Sequence, residues 1–189
     1  MTNGDRKLRI LQAIAEMLEN PEGEKITTAA LAARLDVSEA ALYRHFPSKA
    51  RMFEGLIDFI ENAIFSVIGQ IAADEANGRK QIELMLAAAL RFAGKNRGLT
   101  RVMIGDALVH ENPRLQARIN QLFERLESSL KQALRIAVAQ NALPADHDCA
   151  AHADLLICHL LGRLHRFVKS GFRDDPLASW ARQAPFLFD

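Results

Sequence analysis

Cysteine is scarce in this 189-residue sequence, net charge is almost nil, and long uncharged apolar runs are missing. Cys149 and Cys158 are its two cysteines, too few for a disulfide framework. Basic and acidic residues number 24 and 23, a net charge of +1, so overall charge does not announce a polyanionic partner. No window of about 18 uncharged apolar residues occurs, which predicts no membrane-spanning helix and no membrane partner. The segment Met1–Arg9 is polar and basic, without the apolar stretch of a signal peptide, so the chain is expected in the cytoplasm. Alternating β-branched runs are absent, which excludes a fold built on sheets. A glycine-rich phosphate loop, a serine elbow and a zinc-protease helix motif are all lacking, so the chain reads as no enzyme, with no cofactor expected.

What is present is helical periodicity along most of the chain. Leu8, Leu11, Ile14, Ala15 and Leu18 form one stripe, ended by Asn20-Pro21-Glu22-Gly23. Short helices are expected over about 28–35 and from after Ser38 to before Pro47. Ser48 offers an N-cap for a long helix to about Ala73, with Met52, Phe53, Leu56, Ile57, Ile60, Ile64, Val67, Ile68 and Ile71 on its buried side. Further helices are predicted over about 79–95, 99–109, 113–140 and 146–170, the last closed by Gly171. Pro113 suits a first helical turn. A final turn or two surrounds Trp180. The chain is therefore all-α, divided into a small N-terminal head, 1–47, and a helical body, 48–189.

The head carries the most chemistry. Between Lys25 and Arg51 lie five basic and two acidic residues, whereas the two signs balance from Met52 onward. Two short helices separated by about three residues make a helix-turn-helix. Leu31, Leu35, Val37, Leu42 and Phe46 are spaced to pack its helices together, with Ala32 small where they cross. Ser38 caps the second helix, whose first turn, Glu39, Ala40 and Ala41, is small enough to seat in a major groove, with alanine against thymine methyls. Arg44 is the candidate for a bidentate bond to guanine or a phosphate clamp, flanked by Tyr43 and His45 as phosphate donors. Thr27 or Thr28 opens the first helix and Lys49 the long one, both suited to phosphate.

The string Ala41-Leu42-Tyr43-Arg44-His45-Phe46-Pro47-Ser48-Lys49 closely resembles the signature of TetR-family DNA-binding domains, with their Tyr-x-His-Phe element and following lysine. Asp36 stands where that family usually has glycine in the turn. Ile26-Thr27-Thr28-Ala29, Val37 to Lys49, Gly98-Leu99-Thr100-Arg101 and Arg118 to Arg125 resemble the nucleoid occlusion branch of the family, over about 26–169. The resemblance implies a TetR-like fold: a three-helix DNA-binding head with a helical dimerisation body. It implies a homodimer that binds palindromic chromosomal sites on double-stranded DNA, sits on the nucleoid, and there blocks ring assembly by the tubulin-like division protein FtsZ. The positions matching its partner surface are Phe59, which lies off the main buried stripe, and the pair Lys95 and Asn96. Val67 and Arg91 depart from the branch's pattern. The alternative is an ordinary TetR-type repressor released from its operator by a small molecule.

Asp146, His147, Asp148, Cys149, His152, Cys158, His159 and His165 are dense in metal-ligating chemistry. They alternate with Leu155, Leu156, Ile157, Leu160, Leu161 and Leu164, so the segment reads as a packed helix, with Gly162 allowing close approach at a dimer interface, and no metal is assigned.

Overall fold

The computed structural model describes residues 3–20 and 26–188, so Pro21 to Gly23 of the first turn and Lys25 lie outside the described residues. Nine α-helices occur among these residues: α1 (Asn3–Leu18), α2 (Thr28–Leu35), α3 (Glu39–Tyr43), α4 (Lys49–Asp74), α5 (Gly78–Lys95), α6 (Arg97–Met103), α7 (Pro113–Ala139), α8 (Cys149–Lys169) and α9 (Trp180–Phe188). A short 3-10 turn, Asp106–Leu108, follows α6, and no strand is present among the described residues. The expected single helix over 99–109 is thus broken, because Gly105 takes a left-handed φ of 79° between its two pieces. Helix α8 starts later than expected, at Cys149, because the Asp148 carboxylate accepts from the Ala150 and Ala151 N–H groups at 3.0 Å and caps it.

Two compact units result: Met1–Ile60 with Asn96–Ile119, and Glu61–Lys95 with Asn120–Asp189. The long helices α4 and α7 each give their first part to one unit and the remainder to the other.

In the first unit, the expected stripe of α1 is largely kept: Ile14 and Leu18 are buried and Leu11 and Ala15 half-buried. Ile10 and Ala13 are buried with them, while Leu8 is 47% exposed. Helix α6 docks on α1 with Gly98 against the Ala15 carbonyl and Leu18. Arg101 of α6 then donates to the Leu18 and Asn20 carbonyls at 3.3 and 3.1 Å, satisfying acceptors left at the end of α1, and pairs with Asp106 at 2.6 Å. Helices α4 and α7 are tied by Glu54–Arg114 at 3.0 Å and Asp58–Arg118 at 2.9 Å, partners repeating every four residues on both helices.

Helix α4 is long and apolar enough by length and composition to cross a membrane, although Asp58 and Glu61 interrupt its apolar run. Its apolar side is Ile57, Ile60, Ile64 and Ile68, all buried within the fold, and its Asp58 is ion-paired. Val67, expected on that side, is 40% exposed.

In the second unit α5 packs against α8 and α9. Leu122, Phe123, Leu126, Leu130 and Leu134 of α7 are buried as their spacing predicts, joined by Ala133 and Ala137, while Val138 is half-buried. The Arg125 guanidinium sits 3.9 Å from the centre of the Phe65 ring, a stacked cation–π contact.

Helix α9 is held to α8 by imidazoles. His152 Nε2 lies 2.7 Å from the Leu187 carbonyl and must donate to it, so its Nδ1 accepts from His147 Nε2 at 2.8 Å. Burial pushes the His152 pKa down, against the pull of the Leu187 carbonyl, with His147 adding to the lowering. His159 is lowered by burial and then by Arg163. A base whose folded pKa is depressed binds protons more readily unfolded, so stability is lost as pH falls below the unfolded value of about 6.5. Thermal midpoints are therefore expected to fall between about pH 7.5 and 5.5, and His152→Gln should flatten that dependence. An equally steep fall in the variant would remove His152 from the effect.

Candidate nucleic-acid interface

The helix-turn-helix is built by local hydrogen bonds that its residue types predict. Thr27 caps α2, its Oγ1 accepting from the Ala30 N–H at 3.1 Å. Helix α2 stops because Asp36 takes a left-handed conformation, φ 53° and ψ 50°. Asp36 and Val37 return their N–H groups to the Ala33 and Ala32 carbonyls at 3.2 and 3.0 Å. Aspartate tolerates this region better than most residues, which is how the turn survives without the family's usual glycine. Asp36→Gly is expected to raise stability by up to ~1 kcal/mol, read as a higher thermal midpoint, since glycine adopts positive φ without steric cost. A lower midpoint would show that the Asp36 side chain stabilises the turn.

Ser38 caps α3, its Oγ accepting from the Ala41 N–H at 3.2 Å. Helix α3 is shorter than expected, ending at Tyr43. Arg44 follows in the right-handed region, φ −65° and ψ −26°, so its side chain still continues the helical spiral. Leu31, Ala32, Leu42 and Phe46 are buried beneath the motif. Val37, expected among them, is 44% exposed, because the αL turn at Asp36 swings it outward.

This arrangement sorts the candidate residues. Ala40 is exposed and Tyr43 is 42% exposed on the outside of α3, and Arg44 is exposed just past its end. Ala41 and His45 are half-buried and, with Arg44, line a cleft of about 400 Å³ against α1. Arg6 and Arg9 line the same cleft and add cationic groups that the motif does not contain. Their one signal in the sequence is the basic character of Met1–Arg9. Thr28 donates to Glu39 Oε2 at 2.5 Å, and the Tyr43 hydroxyl donates to Thr28 Oγ1 at 3.4 Å, linking α2 to α3 across the outer face. The Thr27 and Ser38 hydroxyls serve as caps.

Lys49 is placed differently from the others. Its Nζ lies 2.5 Å from Glu111 Oε1, and its side chain is 22% exposed. It also lies 5.6 Å over the Phe53 ring. Glu111 sits 62 positions away in the chain, just before α7, so no local pattern could reveal it.

The residues matched to a partner surface are divided between the two units. Phe59 is 46% exposed on α4, between buried neighbours Ile57 and Ile60. Lys95 ends α5, exposed, and belongs to the second compact unit, whereas Phe59 and Asn96 belong to the first. Asn96 is half-buried, and its carbonyl accepts from the Thr100 hydroxyl at 3.0 Å.

Among the described residues no group of three or more His, Cys, Asp or Glu is arranged to hold a metal ion. The imidazoles of His147 and His152 bond each other and α9, and Cys158 is exposed.

Known proteins share both parts of this chain. Residues 10–56 match the family of bacterial regulatory proteins of the tetR type. Residues 77–189 match the SlmA-like form of the tetracyclin repressor-like C-terminal domain. A curated relative from Alteromonas mediterranea, nucleoid occlusion factor SlmA, is 49% identical over 95% of this chain and 92% of its own length. The protein of the same name from Aliivibrio fischeri is 52% identical over 91% of this chain and 88% of its own length. Among solved structures, a TetR transcription regulator from Haloarcula marismortui superposes with a TM-score of 0.81 at 17% identity, covering 98% of this chain and 97% of that one. At that identity the likeness speaks for the fold, which is the TetR fold. Similarity near half of all positions extends from the helix-turn-helix through the helical body, and on that ground the chain belongs to the SlmA family of nucleoid occlusion factors within the TetR-type DNA-binding regulators.

Proposed function

We propose that this chain is a homodimeric, sequence-specific DNA-binding protein that occupies palindromic chromosomal sites and, from there, antagonises FtsZ ring assembly over the nucleoid. The observation that carries the reading is the family match through the body, over residues 77–189, to the SlmA-like form of the C-terminal domain. The head supports it physically. Ala40 and Tyr43 on α3 and Arg44 just past its end stand outward, above the buried pair Leu42 and Phe46, so the residues that would touch DNA are separate from those that hold the fold. In a dimer the two α3 helices enter successive major grooves roughly 34 Å apart.

The dimerisation surface is assigned to α8. Leu155, Cys158, Gly162 and His165 follow one another at spacings of three and four on its outer side, and Leu155 is 55% exposed. A Cβ on Gly162 would meet nothing within 4 Å, so the second copy has room for close approach. Phe59, Lys95 and Asn96 are assigned to the FtsZ surface.

The test is FtsZ sedimentation with the full chain, with and without a palindrome selected from randomised duplexes. DNA-stimulated loss of FtsZ polymer supports the proposal. DNA binding with no effect on FtsZ, reversed by a small metabolite, would establish the ligand-released repressor instead. Phe59→Ala is expected to leave DNA affinity intact and to weaken FtsZ inhibition by roughly tenfold or more, as removal of an exposed aromatic anchor does. Unchanged inhibition removes Phe59 from that surface.

A further inference from the structure

We propose that Glu39 reads a base, selecting cytosine in the major groove through its carboxylate; the inference rests on the DNA-binding reading above. Glu39 is an acidic residue on a face assigned to a polyanion. It is exposed at the first position of α3 and shares that helix's outer face with Ala40 and Tyr43. A carboxylate only accepts hydrogen bonds. Phosphate oxygens offer it no donor and repel it. On the major-groove edges the donors are the amino groups of cytosine and adenine, while guanine N7 and O6, adenine N7 and thymine O4 are acceptors. In an A·T pair the amino group lies between two acceptors, adenine N7 and thymine O4. In a C·G pair it is flanked on one side by the apolar C5–H edge, so a carboxylate meets less repulsion at cytosine. The cost of an acidic side chain on this face is therefore offset at one kind of base pair.

The side chain is held for that task. Tyr43 donates to Thr28 Oγ1 at 3.4 Å, and Thr28 donates to Glu39 Oε2 at 2.5 Å. The relay fixes the carboxylate across α2 and α3 before DNA arrives, which lowers the entropy cost of binding, and it leaves Oε1 to accept from the base. Glu39 is thus a specificity determinant, separate from the cationic residues that supply affinity.

The experiment is selection from randomised duplex DNA by the wild-type protein, Glu39→Ala and Glu39→Gln, followed by titration on the enriched sequence and on its single-base variants. The wild type is expected to require cytosine at one position of each half-site. Glu39→Ala should reduce discrimination there by about tenfold, leaving the other positions unchanged. Glu39→Gln should move the preference at that position toward adenine, whose N6 and N7 match a carboxamide. A base profile in Glu39→Ala identical to the wild type, whether affinity is kept or falls evenly, overturns the assignment. A wild-type protein that enriches no sequence overturns both this assignment and the DNA-binding reading beneath it, so the two failures are told apart.

Discussion

Arg44→Ala is expected to weaken binding to the selected palindrome by ten- to a hundredfold, about 1–3 kcal/mol for removal of a bidentate hydrogen-bonded pair, without moving the thermal midpoint. The stability half of that expectation follows from exposure: Arg44 lies past the end of α3, outside the buried set of Leu31, Leu42 and Phe46. Titrations at several salt concentrations separate its two roles. If Arg44 reads guanine, discrimination at one base position collapses. If it clamps phosphate, affinity falls evenly across sequences, and the slope of log K against log salt drops by about 0.9 for each phosphate left without its cation. Wild-type affinity in the variant would refute the placement of the interface on α3. Lys49→Ala makes the contrast. The Lys49–Glu111 pair is mostly buried, with Glu111 only 11% exposed, so removing the lysine strands a carboxylate. A stability decrease of roughly 1–3 kcal/mol is expected alongside any weakening of DNA binding.

Gly98→Ala should be strongly destabilising. A Cβ there would fall inside the van der Waals distance of the Ala15 carbonyl oxygen and carbon, and would meet Leu18 Cβ at 3.0 Å. The obstacle is backbone, which cannot step aside as a flexible side chain would, so α6 must lift off α1. The expected cost is about 3 kcal/mol or more, read by denaturant unfolding. Arg101 would be pulled from the end of α1 at the same time. Gly69→Ala in α4 is the control, because its Cβ meets nothing within 4 Å and alanine is the better helix former by ~1 kcal/mol. A monomer fold equally sensitive to both substitutions would mean that the α1–α6 packing is not the reason glycine is needed at 98.

Much of the candidate interface is legible in the sequence because its causes are local. A cap forms between a side chain and a backbone N–H three residues later, so Thr27 and Ser38 can be placed from residue type and spacing. The left-handed turn at Asp36 is likewise a property of that residue and its neighbours. The errors lie where a distant segment decides. Spacing alone puts Leu8 inward with Ile14 and Leu18, yet Leu8 is 47% exposed, while α6, some 80 positions later, covers the Ala15–Leu18 end of α1. Val67 fits a buried stripe by periodicity, yet a helix of 26 residues needs to cover only the part of its surface that its neighbours reach.

The sequence by itself determined the all-helical class, the helix-turn-helix with its caps, the outward set Ala40, Tyr43 and Arg44 and the family, since these depend on residue identity within a few positions of one another. Only the tertiary structure decided that Asn96–Ile119 joins the N-terminal helices, that Glu111 takes Lys49, that Arg6 and Arg9 border the same cleft as Arg44, and that Thr28 holds Glu39. Each of these is a meeting of groups remote along the chain, fixed by how helices dock rather than by any helix alone. Periodicity says that a helix has a buried face; which neighbour covers it, and which charge that neighbour brings, is settled by packing.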